Sequence, residues 1–202
     1  AMRGLAYVQI KNNDLALLDL EKAIAANIKQ YEIFKQTGDL QFLKADYAKA
    51  VERYQQAIAL QATDAIVFNN RGKALVNLKN TQQAIADFDK AISLKPDYEK
   101  AIENRANAYF ELKNYTQAIP DFEKVLQAGR TDTEILQNLG TAYYETKNYT
   151  KASETLNKVV AKGIKSKEVF TMLGLALYQQ KNYAETSKAL QAAVSLGNSS
   201  AE

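Results

Sequence analysis

The hydrophobic positions from Ala65 to Tyr98 follow two helical patterns in succession. Small and apolar residues recur at spacings of three and four, so each predicted helix carries one apolar stripe. The first stripe contains Phe68, Gly72 and Leu75, and the second contains Ala84, Ile85, Phe88, Ala91 and Ile92. The segment therefore predicts a helical hairpin.

The turn of this hairpin is predicted at Lys79 and Asn80. Asn80 suits the N-cap position of the second helix, and Gln83 three residues later would complete a capping box. Pro96 lacks the backbone N–H that would continue the second helix. We therefore expect the hairpin to end before residue 96.

The same pattern repeats every 34 residues along the chain without a gap. Residues 1–30 fit positions 5 to 34 of a truncated first copy, and complete copies begin at Tyr31, Ala65, Glu99, Thr133 and Lys167. A period of this size is typical of stacked arrays, in which each unit covers the apolar face of its neighbour. We therefore expect one array over 1–202, with repeats at 1–30, 31–64, 65–98, 99–132, 133–166 and 167–200.

The glycines fall at two repeat positions only. Position 8 is mid-helix, where glycine costs about 1 kcal/mol relative to alanine, so close helix packing is expected there, with the alanine at position 20 as the contact. Position 31 follows the second helix, where a residue with positive φ typically ends a helix. The first set is Gly4, Gly38, Gly72, Gly140 and Gly174, and the second is Gly129, Gly163 and Gly197.

The repeat resembles the tetratricopeptide repeat, with a large residue at position 4, a small one at 8, alanine at 20 and 27, and a large residue at 24. The resemblance covers essentially the whole chain, and departures such as Gln41, Ala106 and Thr186 are local. It implies an all-α, right-handed superhelical solenoid of antiparallel helix pairs. It also implies a scaffold that binds another protein or peptide.

Composition narrows the function classes. The chain has no Cys and no His. Without Cys it cannot form a thiolate metal site, and without His it lacks the commonest general base and any Ser-His or Cys-His nucleophile pair. We therefore expect neither an enzyme nor a metal or cofactor site. The 26 basic and 23 acidic residues are scattered, which argues against a nucleic-acid partner. No apolar run approaches the ~20 residues of a membrane span, so we expect a soluble segment without an integral membrane part.

The family resemblance implies that first helices line a concave groove. The candidate peptide-binding residues at its positions are Phe42, Asn70, Lys73, Val76, Asn104, Asn107, Phe110, Asn138, Tyr144 and Tyr178. The apolar row at position 12 either contacts a partner or packs between repeats. The asparagines at position 6 resemble the asparagine ladder of O-linked N-acetylglucosamine transferase, and the alternative is a consensus residue that contacts no ligand.

The charges distinguish between kinds of peptide. Acidic residues outnumber basic ones at the expected groove positions of repeats four to six, so a basic or neutral peptide is favoured there. A carboxylate clamp for acidic tails, as in co-chaperones, is less favoured. Its five positions read Lys35, Asp39, Asn70, Lys100 and Asn104, of which Asp39 would repel a carboxylate and Asn104 lacks the guanidinium fork.

Two further surfaces remain as alternatives. Self-association could use apolar residues at repeat ends that lack a polar capping helix, namely Tyr7, Leu20, Leu190, Ala193 and Val194. Position 15 is lysine in five repeats and alanine, Ala45, in repeat two. This pattern predicts a row of solvated turn lysines. The alternative is that the row contacts an anionic surface. The lysines are Lys11, Lys79, Lys113, Lys147 and Lys181.

Overall fold

A computed structural model describes residues 1–198 of the chain. Within these residues twelve α-helices follow one another with no strand between them. They are α1 (Met2–Gln9), α2 (Asn13–Ala25), α3 (Tyr31–Leu43), α4 (Tyr47–Leu60), α5 (Ala65–Asn77), α6 (Thr81–Leu94), α7 (Glu99–Glu111), α8 (Tyr115–Gln127), α9 (Thr133–Glu145), α10 (Tyr149–Ala161), α11 (Lys167–Gln179) and α12 (Tyr183–Asn198). None of these helices is both long enough and apolar enough to cross a membrane.

The helix starts reproduce the sequence period. The first helix of repeats two to six begins at repeat position 1, at Tyr31, Ala65, Glu99, Thr133 and Lys167. The second helix begins at position 17 in every repeat, at Asn13, Tyr47, Thr81, Tyr115, Tyr149 and Tyr183. The predicted all-α fold of consecutive helix pairs is therefore confirmed.

The chain divides into two compact units, Ala1–Ala108 and Tyr109–Glu202. The first unit contains α1 to α6 and most of α7, and the second contains the end of α7 and α8 to α12. Each unit has its own buried apolar clusters, such as the one around Phe34 and Tyr54 and the one around Leu156 and Leu173. The single array over 1–202 stays a prediction.

The turn inside each repeat holds a non-glycine residue in the left-handed region. Lys79 has φ 64°, and its N–H donates to the carbonyl of Val76 while the N–H of Asn80 donates to that of Leu75, both at 2.9 Å. These two hydrogen bonds form a Schellman motif, in which glycine is the usual residue. Position 15 has positive φ in all six repeats, at Lys11, Ala45, Lys79, Lys113, Lys147 and Lys181.

Asn80 is the N-cap residue of α6, as expected, but its side chain makes no capping hydrogen bond. The predicted capping box with Gln83 is therefore wrong. The backbone N–H of Gln83 instead donates to the carbonyl of Asn80 at 3.1 Å. Other repeats do use the side chain, because Asn12, Asp46 and Asn148 accept from the backbone three residues later at 3.3 Å.

The glycines at position 8 allow a large side chain of the second helix to approach α-helical backbone. A Cβ added at Gly72 would lie 2.6 Å from Cε1 of Phe88, and one added at Gly38 would lie 2.8 Å from Cε1 of Tyr54. The expected contact with the alanine at position 20 is wrong, since the nearest atoms belong to position 24. Close packing itself is confirmed, because Phe88 and Tyr54 are 0% and 1% exposed.

The glycines at position 31 behave in two ways. Gly129 and Gly163 follow their helices with φ of 91° and 81°, as predicted. Gly197 lies inside α12, which continues to Asn198, so the prediction of a helix end there is wrong. Unlike the two other glycines, Gly197 does not adopt a positive φ.

A buried ion pair joins the two helices of the third repeat. Arg71 on α5 donates from Nε and Nη2 to the two carboxylate oxygens of Asp87 on α6, at 2.7 and 2.5 Å. The side chains are 20% and 6% exposed. Arg3 and Asp19 form the same bidentate pair at the same repeat positions, but the Arg3 side chain is 72% exposed.

Candidate functional site

A cavity of about 240 Å³ opens between α3, α4 and α5 in the first unit. We call it the α3–α5 pocket, and its lining residues are Asp39, Phe42, Leu43, Tyr54, Asn70 and Lys73. Five of these six residues occupy repeat positions 6, 9, 12 or 13, which the family resemblance assigns to the groove. The structure therefore brings three of the predicted binding residues, Phe42, Asn70 and Lys73, into one pocket.

A chain of hydrogen bonds connects three lining residues of this pocket to Asn69 and Asn104. Oδ1 of Asp39 accepts from the hydroxyl of Tyr54 at 2.7 Å and from Nδ2 of Asn70 at 3.0 Å. Nδ2 of Asn69 donates to Oδ1 of Asn70 at 3.2 Å, and Oδ1 of Asn69 accepts from Nδ2 of Asn104 at 2.8 Å. The chain therefore orients the amides of Asn70 and Asn104, and each amide nitrogen keeps a second hydrogen.

Neither Asn69 nor Asp39 was among the predicted binding residues, although both set the geometry of those that were. Asn69 is 3% exposed and lies at position 5 of its repeat. An asparagine beside a predicted ladder asparagine is a weak sequence signal, because it does not reveal which of the two is buried.

The Asp39 carboxylate has one open oxygen. Among the described residues, Oδ2 accepts no hydrogen bond and is not enclosed, and the carboxylate forms no ion pair. Burial raises the pKa of this carboxyl, and its hydrogen bonds to Tyr54 and Asn70 act in the opposite direction. The same burial, together with the neighbouring Asp39, raises the pKa of the Tyr54 hydroxyl, which therefore stays a donor.

Phe42 forms the aromatic wall of the pocket. Nζ of Lys73 lies 5.0 Å from the centroid of its ring, within the range of a cation–π contact. The ring also packs edge-on against Tyr47, with centroids 5.3 Å apart and an interplanar angle of 67°. The wall is thus held from one side by Tyr47 and already stabilises a positive charge.

The aromatic residues at position 12 share this arrangement in the second unit. Each one packs edge-on against an aromatic residue at position 17, with centroid distances of 5.4 Å for Phe110–Tyr115, 5.5 Å for Tyr144–Tyr149 and 5.9 Å for Tyr178–Tyr183. Phe110 and Tyr144 are half-buried, whereas Tyr178 is 56% exposed. The row therefore serves packing within each repeat and still presents part of its surface to solvent.

None of the remaining predicted peptide-binding residues lines the α3–α5 pocket. Val76 and Asn107 are half-buried in the first unit. Asn138 lines a separate cavity of about 310 Å³ in the second unit, together with Gln137, Thr141, Leu156, Ser166, Glu168, Val169 and Met172.

The contacts of Lys35 oppose the carboxylate clamp. Its Nζ lies 3.1 Å from Oδ2 of Asp64 and 5.7 Å from the centroid of the Tyr31 ring. The Tyr31 hydroxyl also donates to Asp64. Since Lys35 is paired and Asp39 faces the pocket, a carboxylate would meet a negative charge rather than a free lysine at this place.

The proposed assembly residues differ in exposure. Leu20 is 0% exposed and Ala193 4% exposed, so these two expectations of an open apolar face are wrong. Leu20 packs beside Gly4. Tyr7 and Leu190 are half-buried. Val194 is 61% exposed, and it shares the last repeat with Tyr183, which is also 61% exposed and which the sequence reasoning missed.

Residues 1–198 contain no cluster of three or more acidic, histidine or cysteine side chains able to hold a metal ion.

Comparison with family models gives three matches. Two models described as tetratricopeptide repeat match residues 110–174 and 65–98, and one described as TPR repeat matches residues 38–79. The second match has the bounds of one complete repeat. No curated protein sequence matches the chain.

Solved structures with low sequence identity share the fold. MamA 41-end from Desulfovibrio magneticus RS-1 is 21% identical, with a TM-score of 0.74 over 84% of this chain and 96% of that chain. A tetratricopeptide repeat protein from Parabacteroides merdae is 17% identical, with a TM-score of 0.69 over 96% of this chain and 77% of that chain. The C-terminal part of a TPR repeat-containing protein from Cytophaga hutchinsonii is 18% identical, with a TM-score of 0.75 over 96% and 78%.

Proposed function

Because the chain belongs to the tetratricopeptide repeat family, whose members serve as protein-interaction scaffolds, we propose that it binds an extended peptide of a partner protein along its first helices. The observation that carries this proposal is the α3–α5 pocket. It combines the aromatic ring of Phe42 with the side-chain amide of Asn70, which a hydrogen bond to Asp39 already orients in the absence of a partner.

The hydrogen-bonded chain explains how such a surface would grip a peptide. Asn70 and Asn104 would each offer a remaining N–H to peptide carbonyl groups, a contact that tolerates many peptide sequences. Their rotamers are already fixed by Asp39 and Asn69, so binding loses less side-chain entropy at these positions. Phe42 would add apolar contact area.

In the second unit, the aromatic residues Phe110, Tyr144 and Tyr178 and the amide of Asn138 would make the corresponding contacts. Acidic residues in repeats four to six favour a basic or neutral peptide.

The test is selection from a displayed library of random dodecapeptides, followed by fluorescence anisotropy with the best peptides. We expect Phe42→Ala and Asn70→Ala each to weaken binding by about tenfold, which corresponds to ~1.4 kcal/mol. Gln55→Ala is the matched control, since Gln55 is exposed on α4 and does not line the pocket. Enrichment of no peptide, or equal affinity for all three variants, would reject the proposal.

Self-association is a second candidate, and the exposed apolar residues of the last repeat favour it. Tyr178, Tyr183 and Val194 are between 56% and 61% exposed. Sedimentation velocity over a range of concentrations is the appropriate measurement. A concentration-dependent dimer that is lost in Tyr183→Ser/Val194→Ser would support this function, and a monomer at all concentrations would exclude it.

A further inference from the structure

We propose that the α3–α5 pocket selects one basic side chain of the bound peptide, arginine in preference to lysine, by pairing its charge with Oδ2 of Asp39 and its flat face with the ring of Phe42. This inference rests on the proposed peptide-binding function and adds a sequence preference to it.

The first argument is the fixed position of the Asp39 carboxylate. Two donors, the Tyr54 hydroxyl and the Asn70 amide, hold Oδ1 at 2.7 and 3.0 Å, which prevents free rotation of the group. Tyr54 is itself 1% exposed. Oδ2 is left without a hydrogen bond among the described residues, so the pocket contains one preoriented acceptor for a donor brought by the partner.

The second argument is charge complementarity. The carboxylate is half-buried and its two hydrogen-bond partners are neutral. Among the described residues no cation forms an ion pair with it, and Lys35, whose positive charge favours the ionised form of Asp39, is itself paired with Asp64. A charge removed from water is costly unless it is paired. A cation from the peptide would supply this pairing, whereas an acidic side chain would add a like charge.

The third argument is the aromatic wall. Lys73 comes from the neighbouring repeat and places Nζ 5.0 Å from the centroid of Phe42, so this ring already attracts a cation. Lys73 is exposed at the rim of the pocket and can turn towards water when another cation enters. A guanidinium is planar and stacks on aromatic rings better than an ammonium does, which is the reason for the preference for arginine.

The size of the pocket fits this occupant. Its volume is about 240 Å³. That space accommodates a side chain with the seven non-hydrogen atoms of arginine.

The experiment selects the random dodecapeptide library in parallel against the wild-type protein and Asp39→Asn. We expect arginine, and less strongly lysine, to be enriched at one peptide position with the wild type. With Asp39→Asn we expect peptides to be recovered without that enrichment. Asparagine keeps the acceptor for Tyr54 and Asn70, and circular dichroism of the variant checks its fold.

A second measurement changes the peptide instead of the pocket and then repeats the comparison with protein variants. The best arginine peptide is compared with a copy in which that arginine is replaced by citrulline, which has the same shape and no charge. We expect citrulline to weaken binding to the wild type by about tenfold. With Asp39→Asn the two peptides should bind alike. Lys73→Met should strengthen binding of the arginine peptide about threefold, because it removes a competing rim charge.

The outcomes separate the two proposals. Recovery of peptides without a basic position, or a citrulline peptide that binds as tightly as the arginine peptide, overturns the pocket preference and leaves peptide binding intact. An arginine preference that persists in Asp39→Asn also overturns it. Recovery of no peptide at all overturns both.

Discussion

Replacing Arg71 with leucine should destabilise the first unit strongly, because it leaves Asp87 buried without its partner. The guanidinium donates two hydrogen bonds to the carboxylate, at 2.7 and 2.5 Å, and so joins α5 to α6. The Asp87 side chain is 6% exposed and thus has little access to water once the arginine is gone. Leucine retains apolar contact but offers no donor.

The magnitude follows from this burial. Removing one member of a buried ion pair costs about 3–5 kcal/mol, most of it from the charge left behind. The Arg71 side chain is 20% exposed, so water can partly replace it. We therefore expect a loss near the lower limit, about 3 kcal/mol in the free energy of unfolding, or roughly a 6–12 °C fall in Tm for a chain of this length.

A double-mutant cycle isolates the interaction. Arg71→Leu/Asp87→Leu removes both charges and should regain much of the stability that Arg71→Leu loses, since apolar replacement of a buried pair is often neutral. Lys44→Leu is the control, because Lys44 also pairs with an aspartate in the first unit, Asp14, whose side chain is 83% exposed and stays in water when the lysine is removed. We expect this control to lose clearly less stability.

The assay is urea unfolding followed by far-UV circular dichroism, with hydrogen exchange of α5 and α6 to locate the change. The reasoning is refuted if Arg71→Leu costs less than about 1 kcal/mol, or if the double variant is no more stable than Arg71→Leu.

Three further predictions concern packing, pH and the turns. Gly72→Ala should lower the free energy of unfolding by about 1 kcal/mol, since overpacking against Phe88 outweighs the gain in helix propensity, and thermal unfolding will show whether it does. Burial raises the pKa of the Asp39 carboxyl above its ordinary value of 3.8, so the folded state favours the protonated form. The free energy of unfolding of the wild type, relative to that of Asp39→Asn, should therefore be highest below pH 3.8 and fall as pH rises through the raised pKa. A difference that does not change with pH in urea titrations would contradict this. Lys79→Gly should raise the free energy of unfolding by about 0.5–1 kcal/mol, because φ is 64° there, whereas an unchanged or lower Tm would show that the lysine is not strained.

Much of the local structure was predictable because it depends on contacts close in sequence. The starts of α3, α5, α7, α9 and α11 follow from the 34-residue period of apolar positions. The expected contact of Gly72 with Ala84 was wrong, because it depends on which side chains of two different helices face each other. The spacing of residues shows that α5 and α6 each have an apolar face, but it does not show that Phe88 rather than Ala84 lies opposite Gly72.

The binding surface was less predictable. Repeat position alone identified Phe42, Asn70 and Lys73, and the pocket does contain all three. The same reasoning treated Asn70 as a free ligand and Asp39 only as an obstacle to a carboxylate clamp. Their hydrogen bond joins two repeats, which no pattern within one repeat reports.

The sequence by itself determined the all-α class, the helix starts and the repeat register, since these depend on periodic burial and on turn residues a few positions apart. Only the tertiary structure decided which polar groups are already paired and which stay open. That outcome depends on distances between side chains about 30 residues apart, such as Asn70 and Asp39, and on how far each is removed from water. In this protein those distances leave one oxygen of Asp39 open beside Phe42, and the proposed preference for a basic side chain depends on it.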